Sequence, residues 1–484
     1  MDDEKKIFKD NVKTMEKKDI GLIGLGVMGQ NLTLNMERNG YSLAVYNRTK
    51  SKTMAFLRGV GKGKAIIGYN NIEEFCKNLK PPRKIFLMVK AGNVVDHIIT
   101  ELEKYIDSAD IVIDGGNSYF MDTQRRCVDS EKKNYHFLGI GISGGEEGAL
   151  RGPSIMPGGS EEAWENTKEI LLKIAAKADN QPCCSYMGSN GAGHYVKMVH
   201  NGIEYADMQL IAEAYFILKN VLKLDATELA RIFSEWQKGE LNSYLIQITG
   251  EIFASTDSET GQPIVDMILD SASQKGTGKW TSQNALEIGV PVPSISEAVH
   301  ARFLSAIKNE RVEASHLLSG PESHYSGDKN LLIDATQKAL YAAKLCSYAQ
   351  GFSLLEIASI KYNWNLDLGK IAEIWREGCI IRAKFLNRIM TAFHENHVLK
   401  NLLLDPYFTK TLESNQKDWR FVVTLAINNG IPIPAFSSAL AYFDGYRSAK
   451  LPANLIQAQR EYFGAHGFKR VDKKNNQLFH HHFQ

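Results

Sequence analysis

The chain has 484 residues, 44% of them hydrophobic and 23% charged, with a formal net charge of +2. This composition supports buried cores over most of the length and excludes a largely disordered chain, and at about 150 residues per domain it suggests roughly three structural units. A charge so near zero argues against a global electrostatic footprint for nucleic acid or an acidic membrane, so an anionic ligand must be met by a local cluster of basic residues.

Residues 1–18, MDDEKKIFKDNVKTMEKK, mix both charges, lack an uninterrupted apolar stretch and lack Arg. They read as a solvated extension rather than a secretory or transit signal, with Phe8, Val12 and Met15 as a weak helical stripe. No apolar run in the chain approaches the ~18 residues of a membrane span. The six cysteines contain no C-x-x-C pair, and the adjacent Cys183 and Cys184 lack the spaced partners of a zinc site, so a reducing, cytoplasmic location is expected.

From Asp19 to about Asn190, short apolar runs alternate with helical patterns, which predicts βαβ units and a parallel sheet. The runs are Ile20–Ile23, Leu43–Tyr46, Ile85–Val89, Ile111–Ile113 and Phe137–Ile140. Ligand-binding loops belong at their carboxyl ends. After Gly193 the pattern becomes long segments of helical period, including 195–224, 333–360 and 368–393, and from about Lys450 a helix start gives way to an irregular arm. The predicted fold class is α/β plus all-α. A Rossmann-type coenzyme domain over 19–190 is followed by a large helical domain over 191–449 and a tail over 450–484. No repeat of fixed period is visible, although a helical region this long can hide a degenerate duplication.

The first apolar run leads into Gly24-Leu25-Gly26-Val27-Met28-Gly29 and then a helical pattern, the G-x-G-x-x-G fingerprint in its strand-to-helix context. Gly24 permits the tight turn, Gly26 lets a pyrophosphate approach the backbone, and Gly29 lets helix and strand pack closely. At the end of the second run an NAD site usually places an acid, whereas this chain has Asn47-Arg48-Thr49-Lys50. Arg48 offers a planar cation for a 2′-phosphate, which predicts NADP rather than NAD.

The stretch from Gly191 to Tyr205 carries the chemistry. His200, Asn201, Glu204 and Tyr205 lie three, four, seven and eight residues after Lys197, so all five share one helical face, while Val196, Val199, Ile203 and Leu210 form an apolar stripe beside it. A solvated polar face is the bland alternative. A cation, an imidazole, an amide, a carboxylate and a phenol beside a glycine-rich loop form a richer proton-transfer set than a surface requires.

The segments IGLGVMGQNL, YNRT, IDGGNS, GISGGEEGALRGPSIMPGG, GHYVKMVHNGIEYADMQL, QKGTGKW and AQREYFGAHGF resemble the 6-phosphogluconate dehydrogenase family from Asp19 to about Phe468. The extension and the His-rich C-terminus depart from it. The resemblance implies NADP-dependent oxidative decarboxylation of 6-phosphogluconate in the pentose phosphate pathway, without a metal, with Lys197 as base and then acid and Glu204 as acid. It implies substrate contacts from Asn117, Ser143, Gly144, Gly145, His200 and Asn201, and phosphate contacts from Tyr205, Lys275, Thr277, Arg302, Arg460 and His466. For the cofactor it implies Gly24, Gly26, Met28, Gly29, Asn47, Arg48, Thr49, Val89, Lys90, Ala91 and Asn117. It further implies a homodimer in which Arg460 and His466 complete the partner's site. Three other readings stand beside it: a β-hydroxyacid dehydrogenase of the 3-hydroxyisobutyrate type, a catalytically silent NADP sensor, and metal binding by the terminal FHHHFQ.

Overall fold

In a computed structural model, the described residues are 16–322, 324–474 and 476–483. The stripe of Phe8, Val12 and Met15 lies outside them. A seven-stranded sheet is formed by β1 (Ile20–Ile23), β2 (Leu43–Tyr46), β3 (Ile66–Tyr69), β4 (Lys84–Leu87), β5 (Ile111–Asp114), β6 (His136–Ile142) and β7 (Ile155–Gly159). The order is β3-β2-β1-β4-β5-β6-β7, parallel throughout except for β7, which runs antiparallel to β6. Residues Ile20–Ile23 are buried along the whole strand, as expected where helices cover both faces of a parallel sheet. The order reverses between β1 and β4, so the crevice beyond their carboxyl ends is the topological switch point where such folds bind ligands.

Two strands of this sheet were not legible in the sequence. β3 follows the glycine- and lysine-rich Gly61-Lys62-Gly63-Lys64 and is only four residues long. β7 reads IMPGG, a composition poor in strand formers; it is tolerated because β7 is an edge strand.

The helical region begins with a 31-residue helix, Ala192–Leu222, and contains a second long one of 34 residues, Lys329–Tyr362. Both end in a left-handed residue, Lys223 or Asn363, and each is followed by an Asp N-cap, Asp225 or Asp367, and a shorter helix. The chain segments after these two shorter helices pair with each other through Ser243 and Ala383, so the two halves of the helical region repeat one element order and meet antiparallel. Leu368–Phe393, which the sequence suggests is one helical segment, is broken into Leu368–Ile374 and Leu386–Glu395. The break contains Gly378 at φ +67, and its backbone at Arg382 and Lys384 bonds Tyr244 and Asn242 instead of continuing a helix. A short helix, Ala453–Gly464, and an arm paired at Phe468 and Phe479 close the chain.

Candidate active site

The glycine fingerprint takes three distinct geometries. Gly24 has φ +104, and a Cβ there would lie 2.4 Å from Met88 O; a Cβ on Gly29 would lie 1.9 Å from Gly24 O. A Cβ on Gly26 would meet nothing within 4 Å. Two glycines are therefore required by protein packing, and the remaining one faces open space at the N-terminus of the helix Val27–Arg38, whose first amides no side chain caps. That arrangement fits a dinucleotide pyrophosphate, which takes up helix N-terminal amides and needs close backbone approach.

Asn47 acts on this loop from the side. Its Oδ1 accepts from Leu25 N at 3.0 Å and its Nδ2 donates to Thr49 O at 3.1 Å, tying the end of β2 to the fingerprint. Arg48 beside it is exposed and forms no ion pair among the described residues, leaving its guanidinium available to an anion. Met28, Val89 and Ala91 are partly buried, whereas Thr49, Lys90 and Asn117 are exposed at the same strand ends. A support not singled out in the sequence lies under the IDGGNS turn. Asp114, fully buried, accepts from Gly116 N (3.0 Å), Ser118 Oγ (2.6 Å) and Arg126 Nη1 (3.3 Å), and Arg126 also binds Asp96 and Gly92 O. The strand-end acid before two glycines was the available signal for Asp114; Arg126 had none.

The Ala192–Leu222 helix lies directly on the sheet because glycines remove side chains from both surfaces. A Cβ on Gly193 would stand 2.3 Å from Met156 O and 2.5 Å from Gly139 O, and one on Gly141 would stand 2.3 Å from Lys197 Cβ. Backbone contact therefore fixes where Lys197 sits relative to β6.

The predicted polar wall is present, and most of it is buried. Lys197 Nζ donates to Asn201 Oδ1 at 2.7 Å, Asn201 Nδ2 donates to Thr277 Oγ1 at 3.1 Å, and His200 Nε2 lies 3.1 Å from Ser143 Oγ. His200 Nδ1 is 3.1 Å from Asn201 Oδ1 and 3.8 Å from Glu204 Oε2. His200 Nδ1 also lies 3.4 Å from Lys197 Nζ, so Lys197, His200, Asn201 and Ser143 form one connected network. The Trp375 ring meets His200 edge-on at 5.4 Å. Burial pushes the Lys197 ammonium below the usual lysine range, against the pull of the Glu204 charge. His200 is driven well below its ordinary value, first by burial and then by Lys197, so its imidazole is neutral. Burial raises Glu204 above the usual carboxylate range despite Lys197 and Arg302 nearby.

Ser143 ends this wall at the carboxyl end of β6, followed by Gly144 at φ +104 and Gly145 at φ +62. A Cβ on Gly144 would lie 2.6 Å from Gly378 O, so the turn rests on the break in the helical region. On the residue next to Glu204, the Arg302 guanidinium stacks 3.6 Å above the Tyr205 ring. Gly278 packs against the same ring, since a Cβ there would be 2.5 Å from it. Lys275 is exposed just before Gly276 and Thr277. Arg460 and His466 are not drawn in: Arg460 donates to Gln457 and the His466 ring meets Phe463, both within the tail. Among the described residues, no group of three or more His, Cys, Asp or Glu side chains is arranged to hold a metal ion, and no helix is long and apolar enough to cross a membrane.

Fold and site together define a Rossmann-type, dinucleotide-binding oxidoreductase with a buried polar wall on the first helix after the coenzyme domain. The model of the NAD binding domain of 6-phosphogluconate dehydrogenase matches residues 19–188, and that of the 6-phosphogluconate dehydrogenase C-terminal domain matches residues 193–483. The chain is 59% identical over 467 residues to the NADP(+)-dependent, decarboxylating 6-phosphogluconate dehydrogenase of Bacillus subtilis, covering 96% of this chain and 99% of that one. It is 54% identical, with the same coverage, to the decarboxylating enzyme of Escherichia coli K12. The Plasmodium falciparum 6-phosphogluconate dehydrogenase, solved apo, with NADP+ and with 6-phosphogluconate, superposes with a TM-score of 0.91 at 46% identity, covering 96% of this chain and all of that one. The chain belongs to the 6-phosphogluconate dehydrogenase family.

Proposed function

We propose that the chain oxidises and decarboxylates 6-phospho-D-gluconate to D-ribulose 5-phosphate and CO2 with reduction of NADP, as an oxidative step of the pentose phosphate pathway in the cytoplasm. The observation that carries this reading is a buried lysine with depressed basicity one turn from a neutral histidine and two turns from a carboxyl with raised basicity. NADP supplies the acceptor for the hydride that leaves carbon 3. Arg48 holds the 2′-phosphate, with Asn47 and Thr49 beside it. Gly24, Gly26, Met28 and Gly29 shape the pyrophosphate seat, and Val89, Lys90, Ala91 and Asn117 line the rest.

Neutral Lys197 takes the proton of the carbon 3 hydroxyl as oxidation proceeds. The resulting ammonium then returns a proton to the ketone oxygen as the carboxylate departs, acting as the electrophile that stabilises the developing enediolate. Protonated Glu204 delivers a proton to carbon 1 of the enediol while the enol proton returns to Lys197; this leaves an ammonium and a carboxylate, and loss of one proton from Lys197 with uptake of one by Glu204 resets the pair. His200 and Asn201 hold Lys197 and bond the substrate hydroxyls; Ser143, Gly144 and Gly145 present donors to the carboxylate. Tyr205, Lys275, Thr277 and Arg302 receive the phosphate, and Arg302 stacked on Tyr205 presents a planar fork suited to it.

We assign the coenzyme domain to 19–190, the helical domain to 191–449 and the tail to 450–484. The tail helix supports the reading that Arg460 and His466 serve a second subunit. Its Leu455, Ile456, Tyr462 and Phe463 are 59–72% exposed, an apolar surface that the described residues leave open. Mixing inactive Lys197→Ala subunits with Arg460→Ala subunits, whose grip on the substrate phosphate is weakened, restores normal activity at part of the sites through hybrid sites if the site is shared; verified heterodimers without such recovery refute sharing. The decisive assay for the function is NADP reduction coupled to CO2 release from 6-phosphogluconate. Equal or greater turnover of an unphosphorylated hydroxy acid would overturn the assignment.

A further inference from the structure

In the helix Ala453–Gly464, the sole buried residue is a carboxylate, Glu461, at 4% exposure, while the apolar side chains of the same helix face outward. This inverts the usual pattern, because an acid is buried only where bonds offset its desolvation. Here they come from the chain beyond the helix. Glu461 Oε2 accepts from Gly467 N at 2.6 Å, and Oε1 accepts from His481 N at 3.0 Å and lies 3.1 Å from His480 Nδ1. The donors belong to both arms of the returning chain, which pair through reciprocal Phe468–Phe479 backbone bonds of 2.9 Å. One carboxylate therefore fastens the helix to both arms.

Between helix and first arm lies His466, flanked by Ala465 at φ +47 and Gly467 at φ +72. A left-handed alanine is a conformation that an isolated chain avoids and that a clamp must hold. The bond to Gly467 N is placed to do so. Arg460 immediately precedes Glu461 and is oriented by Gln457 Oε1 at 3.1 Å, while Gln457 Nε2 binds Gly467 O. The two cations thus stand on either side of the clamp.

We propose that Glu461 is a positioning residue for substrate binding. It fixes the tail in the shape that presents Arg460 and His466 to the substrate phosphate in a second copy of the chain, which rests on the shared-site reading above. With the tail preformed, the ordering cost is met before substrate arrives; without the clamp it is charged against substrate affinity.

The test compares Glu461→Gln, His466→Ala, Arg460→Ala and the double variant Glu461→Gln/His466→Ala in the full-length protein. The readouts are KM for 6-phosphogluconate, KM for NADP, kcat and dimer mass. Glu461→Gln keeps the volume but loses an acceptor, and is expected to raise KM for 6-phosphogluconate about tenfold. KM for NADP and dimer mass should be unchanged, with little further loss in the double variant. A chain ended at Phe479, which keeps the Phe468 pairing residue and removes His480 and His481, should show the same selective rise and serves if Glu461→Gln does not fold. Wild-type KM in Glu461→Gln or in the shortened chain, or full additivity in the double variant, overturns the role of Glu461. If His466→Ala and Arg460→Ala also leave KM unchanged, the shared-site reading fails with it; if they raise KM while Glu461→Gln does not, only this inference fails.

Discussion

Lys197 Nζ and Asn201 Oδ1 are 2.7 Å apart across one turn of the same buried helix. The oxygen accepts from the ammonium and so favours the charged lysine, partly opposing the burial that lowers its basicity. In the proposed mechanism oxidation needs neutral Lys197, so its rate should rise with pH through the lysine titration. Protonation of the enediol needs Glu204 as the acid, so that limb falls as pH rises through a titration above the usual carboxylate range. Asn201→Leu removes the acceptor, disfavours the ammonium and should move the rising limb toward acid. It should also lower kcat about tenfold through lost orientation. A pH profile of kcat checks the direction, and a shift toward alkali would show that Asn201 does not stabilise the charged form.

A second relationship concerns packing. Gly141 on β6 leaves room for Lys197 Cβ, which would lie 2.3 Å from any Cβ placed there. Gly141→Ala should cost roughly 1–3 kcal/mol of stability by overpacking. It should also lower kcat about a hundredfold, since the lysine is displaced from its reacting position. Thermal unfolding and steady-state rates measure the two effects; retained kcat would place the reacting group elsewhere.

The polar wall from Lys197 to Tyr205 was legible because it is local: helical spacing alone puts those side chains on one face. β1 and β2 were legible to the residue because their apolar runs end in clear turn signals. What stayed hidden depends on partners distant in sequence. Nothing local in IMPGG indicates a strand, since β7 exists through its pairing with β6, and nothing local in Gly141 announces that Lys197 lies against it. The break after Ile374 was hidden for the same reason: its extended backbone is paid for by Asn242 and Tyr244, which belong to the other half of the helical region. Arg48 was singled out from position, but its exposure and its lack of an ion pair among the described residues required the structure.

That free guanidinium leads to a cofactor prediction. Arg48→Ala should lower the preference for NADP over NAD about 10- to 100-fold, the equivalent of about 1.5–3 kcal/mol for charge-assisted bonds to a phosphate. The ratio of kcat/KM for the two cofactors reports it. An equal fall for both would indicate damage to the loop rather than loss of the 2′-phosphate contact.

Arg126 gives the sharpest stability prediction. Its side chain and that of Asp114 are 2% and 0% exposed, and the pair ties the Gly116 turn to the Gly92 loop, the two strand ends that border the cofactor crevice. Arg126→Met leaves the Asp114 carboxylate buried without its cation, which should cost about 3–5 kcal/mol. Asp114→Asn in the same chain removes the uncompensated charge and should recover part of that loss. Because both loops are released together, KM for NADP should rise in Arg126→Met while the affinity for 6-phosphogluconate changes less. Melting temperatures of the single and double variants, read with the two KM values, test the argument. A double variant less stable than Arg126→Met would mean that the bonds of Asp114 to Gly116 and Ser118, rather than its pairing with Arg126, hold the turn.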